Sequence, residues 1–353
     1  MSGDEVRRRN ELREVFARES RFTWEKGVGS GSSGFAVLVK ETDDYGNIRR
    51  FVVKRSSDEG EEDDNEIAQE KLVLLSLRWA EHIVNLVDVH NNPLEPRDGQ
   101  GGIQGAWIIM EYMENGTLGQ FLERAEGILI PNRMLWFMFQ CMIRACVGMA
   151  YSPLGPFLPE TPLENYAPSL LSHQDMTTLN LMFGSLRPGD PEHYLVPILK
   201  LIDFGFARVL TGSGPAISQA DVAAYDDSLG LSALRVGYGR SNAAIHENIL
   251  AVGIAMTRII TFERLIPVNR CRREILDMNV YPSLDRDLRL LIVRCLAVEP
   301  LNRPPLEELL AVLHGGIYTK NAAAYVGTVS ELAETDDNIR GFVQEYILNA
   351  NVY

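Results

Sequence analysis

The sequence predicts an α+β chain in two unequal parts, a small β-rich first part with one main helix and a larger, mostly α-helical second part. Three observations carry this. The 353 residues exceed one average domain of roughly 150. Up to about residue 113 the apolar runs are short and rich in β-branched residues, whereas beyond Gly116 they lengthen to helical spacing. Apolar residues make up 46% and charged residues 23%, a globular balance that excludes a wholly disordered, collagenous or membrane-embedded chain.

In chain order, residues 4–20 mix both charge signs around Val6, Leu12, Val15 and Phe16, the pattern of an amphipathic helix lying against something larger. Residues 36–40 and 48–55 read as two strands joined by the turn cluster Asp43-Asp44-Tyr45-Gly46-Asn47. Residues 57–66 carry seven acids and no base and read as a solvated loop. A helix is expected over 65–78, and strands over 83–89 and 106–113. Further helices are expected at 118–125, 134–151, 247–260, 284–298 and 305–313. Long connections at 91–105, 152–169 and 184–197 read as surface insertions. Near the end, Thr335 precedes Ile339, Phe342, Val343, Tyr346 and Ile347, an N-capped amphipathic helix suited to packing on the helical part.

Charge and cysteine usage narrow the function. With 34 Lys plus Arg against 48 Asp plus Glu, the net charge is −14, which disfavours nucleic acid as a partner. The four cysteines show no Cys-x-x-Cys spacing, so neither a zinc ribbon nor a disulfide framework is expected and a reducing, intracellular compartment fits. The longest near-apolar run, 249–260, contains Arg258 and falls short of a bilayer span. No membrane partner is expected, and the sequence is silent on oligomeric state.

The chemistry-bearing residues begin with Gly29-Ser30-Gly31-Ser32-Ser33-Gly34. Alone, this spacing is as readily a turn. A dinucleotide fingerprint requires a helix after it and a Walker loop requires Gly-Lys-Ser/Thr, and neither follows Gly34. A glycine loop between antiparallel strands fits better, its backbone N–H groups approaching the phosphates of a nucleotide. Lys54 sits in the next strand, twenty residues on, and Glu70 in the following helix could hold it, with Glu66 one turn earlier as the competing carboxylate.

Together with His173-Gln174-Asp175-Met176-Thr177-Thr178-Leu179-Asn180 and Asp203-Phe204-Gly205, these segments resemble the eukaryotic protein kinases, over roughly residues 22–313 and in a divergent form similar to kinase-like proteins of fungi. The resemblance implies a two-lobed protein-kinase-like fold, with an N-terminal extension at 1–21, an N-lobe at 22–110, a hinge at 111–116, a C-lobe at 117–314 and a helical tail at 315–353. It implies ATP and Mg²⁺ as cofactors and a protein hydroxyl as acceptor, Ser/Thr before Tyr. Gly29, Ser30, Gly31 and Gly34 would cover the phosphates, while Lys54 and Glu70 would position them. Met110 would be the gatekeeper, with the backbone of Glu111 and Met113 meeting adenine. Asp175 would act on the attacking hydroxyl, and Asn180 and Asp203 would hold the metal.

The pattern also departs from the family. Gln174 replaces an arginine, Thr177 stands where Ser/Thr kinases place a lysine, Asn248 replaces an aspartate, and no Ala-Pro-Glu lies between Asp203 and Glu247. Arg303 is thereby deprived of its usual acid, and Asp226, Asp227, Glu247 or solvent is expected to serve instead. These losses keep two rivals open, a pseudokinase that binds nucleotide or partner without transfer and a small-molecule phosphotransferase.

Overall fold

The computed structural model of the chain describes residues 3–31, 34–57, 61–96, 102–210, 242–264 and 266–349, with backbone only at 61–63 and 268–269. The described residues group into two units, 3–78 with 84–112, and 79–83 with 113–210 and 242–349.

The first unit is an antiparallel sheet in the order β1-β2-β3-β4, formed by β1 (Phe22–Gly31), β2 (Gly34–Thr42), β3 (Ile48–Arg55) and β4 (Trp107–Glu111). Asp43 makes the β2–β3 turn by accepting the backbone N–H groups of Tyr45 (2.9 Å) and Asn47 (2.8 Å), while Gly46 takes φ 82°. Alternation puts Phe35, Val37 and Val39 of β2 beside Phe51 and Val53 of β3 in one core. Helix α1 (Gly3–Ala17) closes that core with Leu12, Val15 and Phe16, and Phe16 meets Phe22 edge-on at 5.2 Å.

Two expectations fail here for physical reasons. The acidic stretch is not a loop throughout, because α2 (Glu61–Ser76) starts inside it. Four consecutive acids in the opening turn oppose the positive end of the helix dipole, and Asp64 pairs with buried Arg8 at 3.0 Å. Residues 83–89 form no strand. Ile83 bridges Leu201 and Leu86 bridges Met110 as isolated pairs, because the Glu111 carboxylate takes the Asn85 N–H at 2.8 Å and diverts the ladder.

In the second unit, α4 (Asn132–Ala150) is buried along nearly its whole length, after the short α3 (Leu118–Arg124). Two two-stranded ribbons pair β5 (Leu171–Ser172) with β8 (Arg208–Val209), and β6 (Leu181–Phe183) with β7 (Leu199–Leu201). Around them lie α5 (Ala243–Thr261), α6 (Val268–Leu276), α7 (Arg286–Cys295), α8 (Leu306–Thr319) and α9 (Asp336–Val343), the last running into a π-turn at Gln344–Leu348. Helix α6 was not legible in the sequence. Close approach of α8 to α4 depends on Gly316, where a Cβ would fall 2.5 Å from the Trp136 ring. The tail is stapled to α4 by fully buried Glu334, which accepts the N–H groups of Asn132 (2.7 Å) and Arg133 (3.0 Å). That carboxylate caps two donors α4 would otherwise leave unpaired.

Helix α5 corrects the expectation for the apolar run at 249–260. At 19 residues it is long and apolar enough to cross a membrane by length and composition. One face, including Ala244, Ile249, Val252 and Met256, is nonetheless buried in the unit.

Candidate active site

The glycine motif lies at the tip of the β1–β2 hairpin, with Gly29 opposite Ala36, Ser30 opposite Phe35 and Gly31 opposite Gly34. Gly34 has φ 137°, and a Cβ there would lie 2.2 Å from the Arg55 carbonyl oxygen, so no other residue fits. Gly31 has open space where a side chain would stand. Ser30 Oγ donates to Glu5 of α1 at 3.3 Å. Ser32 and Ser33 lie outside the described residues.

On the neighbouring strand, Lys54 pairs in register with Ala36 and Ile108. Its Nζ stands 2.7 Å from Oε2 of Glu70, whose side chain is fully buried, while Glu66 is exposed. Glu66 and Glu70 share one face of α2, so it is the rise of about 6 Å between them that brings Glu70, not Glu66, to the lysine. Met110 is buried on β4 opposite Val52. The Glu111 N–H donates to Asn85 O at 3.0 Å. Met113, also buried, begins the stretch of the second unit that leads to α3.

The second unit gathers Asp175, Asn180 and Asp203. Asn180 Nδ2 donates to both the Asp175 carbonyl (2.9 Å) and its Oδ2 (2.7 Å), which fixes the carboxylate and leaves the Asn180 amide oxygen to bind a cation. Ile202 N donates to Asn180 O at 2.9 Å, joining this loop to the one holding Asp203. Burial raises the Asp175 pKa above the ordinary carboxylate range; the bond from Asn180 opposes this, the Asp203 charge adds to it and Arg258 draws it down.

His173 organises the loop beneath. Its N–H donates to Asn248 Oδ1 (3.1 Å), its Nε2 bonds Ile202 O (3.1 Å), and its Nδ1 accepts from Asp175 N (3.3 Å). Burial lowers its pKa to about 4, so the ring is neutral and carries its proton on Nε2. Phe204 packs edge-on against it at 4.7 Å. Gln174 and Asp203 hold left-handed backbone, with φ of 65° and 61°, a strain of about 1–3 kcal/mol each that persists only where the surroundings impose it.

Residues 22–219 match the family model described as protein tyrosine and serine/threonine kinase. The chain belongs to the protein kinase family. Its small antiparallel sheet with a helix and its larger helical unit have the two-lobed kinase-like architecture. Over 215 residues, 55% of this chain, it is 26% identical to the serine/threonine-protein kinase ATG1 of Kluyveromyces lactis. It is 25% identical over the same length to the protein of that name from Kluyveromyces marxianus. The match spans 24% of each relative's own length.

Within this kinase-family chain the departures acquire partners. Gln174 Nε2 donates to Glu247 at 2.5 Å, and Ser172 Oγ donates to the same carboxylate oxygen at 2.9 Å. Glu247 is therefore engaged with the segment that carries Asp175. Arg303 is buried, against the expectation of solvent; among the described residues it makes no ion pair, its Nε donating to Ala297 O (3.0 Å) and its Nη1 to His246 O (2.7 Å), while Glu247 and Glu299 act on it only through space. Asp226 and Asp227 lie outside the described residues. Thr177 closes a turn, its N–H on Asp175 O at 2.9 Å. Sequence reasoning missed Arg258 as a neighbour of the catalytic loop. Its Nε is buried without a hydrogen-bond partner, and the signal was present as a lone cation interrupting an apolar helix.

Proposed function

We propose that the chain is an ATP- and Mg²⁺-dependent protein kinase transferring the γ-phosphate to a protein hydroxyl, Ser/Thr before Tyr. The observation that carries this is the pair of hydrogen bonds from Asn180 Nδ2 to Asp175 beside Asp203. It holds a carboxylate in one orientation with two hard oxygen ligands adjoining. The donor set fits Mg²⁺, which prefers carboxylate and amide oxygens. When bound, Mg²⁺ neutralises phosphate charge and polarises the phosphoryl group.

In this reading the ionised Asp175 orients the acceptor hydroxyl and takes up its proton, a contribution of about 10²–10⁴ in rate. Lys54 grips phosphate oxygens, and Glu70 prevents the ammonium from swinging away. Gly34 lets the hairpin backbone turn close to the nucleotide. Thr177 removes a cation from the transferred phosphate, which at 4 Å and an effective dielectric near 20 is worth at most about 4 kcal/mol. Arg258 supplies positive charge near Asp175, which supports a slowed but retained transfer. The test is γ-phosphate transfer to a mixed Ser, Thr and Tyr peptide pool, with Asp175→Asn as the blank; equal signals end the proposal.

Thr177 and Gln174 favour a second reading, a pseudokinase that binds nucleotide as a scaffold or regulatory module. Its signature is thermal stabilisation by ATP, about 2.7 kcal/mol at a hundred times the dissociation constant, with no phosphate transferred.

A further inference from the structure

Away from the phosphotransfer residues, three segments of the second unit bury one group each against the others. His82 follows α2, Cys141 lies in the middle of α4, and His193 belongs to the insertion that precedes β7. All three are buried, and one ligand atom from each lies within 4.8 Å of the other two. Nε2 of His82 faces Nε2 of His193 at 3.2 Å. Two imidazole nitrogens at about 2.0–2.1 Å from one tetrahedral zinc ion stand about 3.3 Å apart, so this spacing is the one zinc requires.

We propose that His82, Cys141 and His193 form a structural binding site for a borderline-soft divalent cation, zinc first, with water in the fourth position. The ligand types are those zinc selects, imidazole and thiolate. The outer contacts match as well. His82 Nδ1 is held by Glu160, whose other oxygen accepts the His82 backbone N–H at 2.9 Å. The carboxylate thus fixes the ring with Nε2 pointing at His193, the arrangement that orients and strengthens metal-bound histidines. Charge also balances, because a divalent ion is offset by one thiolate and by Glu160. Nearby Arg144 is already paired with Glu192 at 2.5 Å.

The alternative content of this space is a proton shared by the two rings. Burial disfavours an imidazolium, but Glu160 and then Cys141 outweigh it and lift the His82 pKa to about 10, while burial and then the His82 charge push His193 down. In that state Cys141 only hydrogen-bonds His82, whereas a bound cation takes its sulfur as a ligand, which makes the thiol the discriminating atom.

The consequence is mechanical. Leu201 N donates to His82 O at 2.8 Å, two residues before Asp203. A cation at this point ties the insertion at 184–198 and the segment carrying Asp203 to the core helix. Nothing in the sequence announced it, because the ligands are 59 and 52 residues apart along the chain and no pair shares a short motif.

The test uses the full chain and does not depend on kinase activity. Metal analysis after dialysis against a chelating buffer is expected to return one zinc per chain. Removing it with a stronger chelator should lower the melting temperature, and zinc alone should restore it. Cobalt-loaded protein is expected to show tetrahedral visible bands and a near-ultraviolet thiolate-to-cobalt transition that Cys141→Ser abolishes and Cys146→Ser retains. Absence of stoichiometric zinc or cobalt after loading overturns the site and leaves the proton-bridged pair. A cobalt spectrum untouched by Cys141→Ser overturns it equally. Should Cys141→Ser fail to fold, the wild-type thiolate transition alone decides, and its absence counts against the site.

Discussion

The lysine–glutamate pair of the first unit and the catalytic loop of the second have diverged differently. Lys54 and Glu70 keep both charges, 2.7 Å apart, with the glutamate fully buried. In the second unit Asp175 and Asp203 stay, but charges are lost at Gln174, Thr177 and Asn248. Gln174 still reaches a carboxylate, Asn248 still receives the His173 N–H, and Arg303 donates to two carbonyls. The difference follows from solvation. A buried ammonium stripped of its carboxylate has no neutral substitute, whereas an amide can replace a charged group wherever the geometry supplies both a donor and an acceptor.

The largest effect expected from breaking this comparison is at the charged pair. Glu70→Ala removes the buried carboxylate that Lys54 meets at 2.7 Å and should destabilise the chain, by up to about 3–5 kcal/mol in denaturant unfolding. A loss within 1 kcal/mol means the pair is not buried as described. Asn248→Asp comes next. The new carboxylate still accepts from His173 N, but it faces the Leu171 carbonyl that Asn248 Nδ2 now bonds at 3.0 Å. Leaving that buried acceptor unpaired should cost about 1–3 kcal/mol, so restoring the family's own residue destabilises this chain. An unchanged midpoint would show that the amide hydrogen is dispensable.

How much of this was legible in sequence depends on the range of the contact. The hairpin, α4 and the capped tail helix were readable because turn chemistry and 3.6-residue spacing are local. Glu70 was one of two candidates on one helix face, and only the position of α2 along its axis against β3 decided between it and Glu66. The start of α2 was misread because an acid run looks solvated until a helix dipole is placed beneath it. Arg303 and the cluster of His82, Cys141 and His193 were out of reach, since their partners are backbone carbonyls or side chains gathered from distant segments.

A smaller effect concerns acidity. In the proposed mechanism Asp175 acts ionised, and burial raises its pKa, so the acid limb of kcat/KM is expected to fall at a pH above the ordinary carboxylate range near 3.9. Removing the Asn180 bond with Asn180→Ala should move that limb further up, because the bond lowers the pKa. A limb at or below the ordinary value contradicts the assignment. Smallest is Gln174→Arg, which adds a charge to an existing contact with Glu247 on an exposed side chain and should stabilise by no more than about 1 kcal/mol, read as a slight rise in melting temperature.

The account's central claim, that the catalytic loop has lost charge and kept its shape, is tested most directly by single-turnover phosphate transfer in Thr177→Lys. If the loop is shaped for transfer, the lysine should raise the rate above wild type, by up to about a thousandfold if its 4 kcal/mol is fully expressed, and Asp175→Asn should abolish transfer in both backgrounds. A Thr177→Lys rate no higher than the Asp175→Asn blank would contradict it.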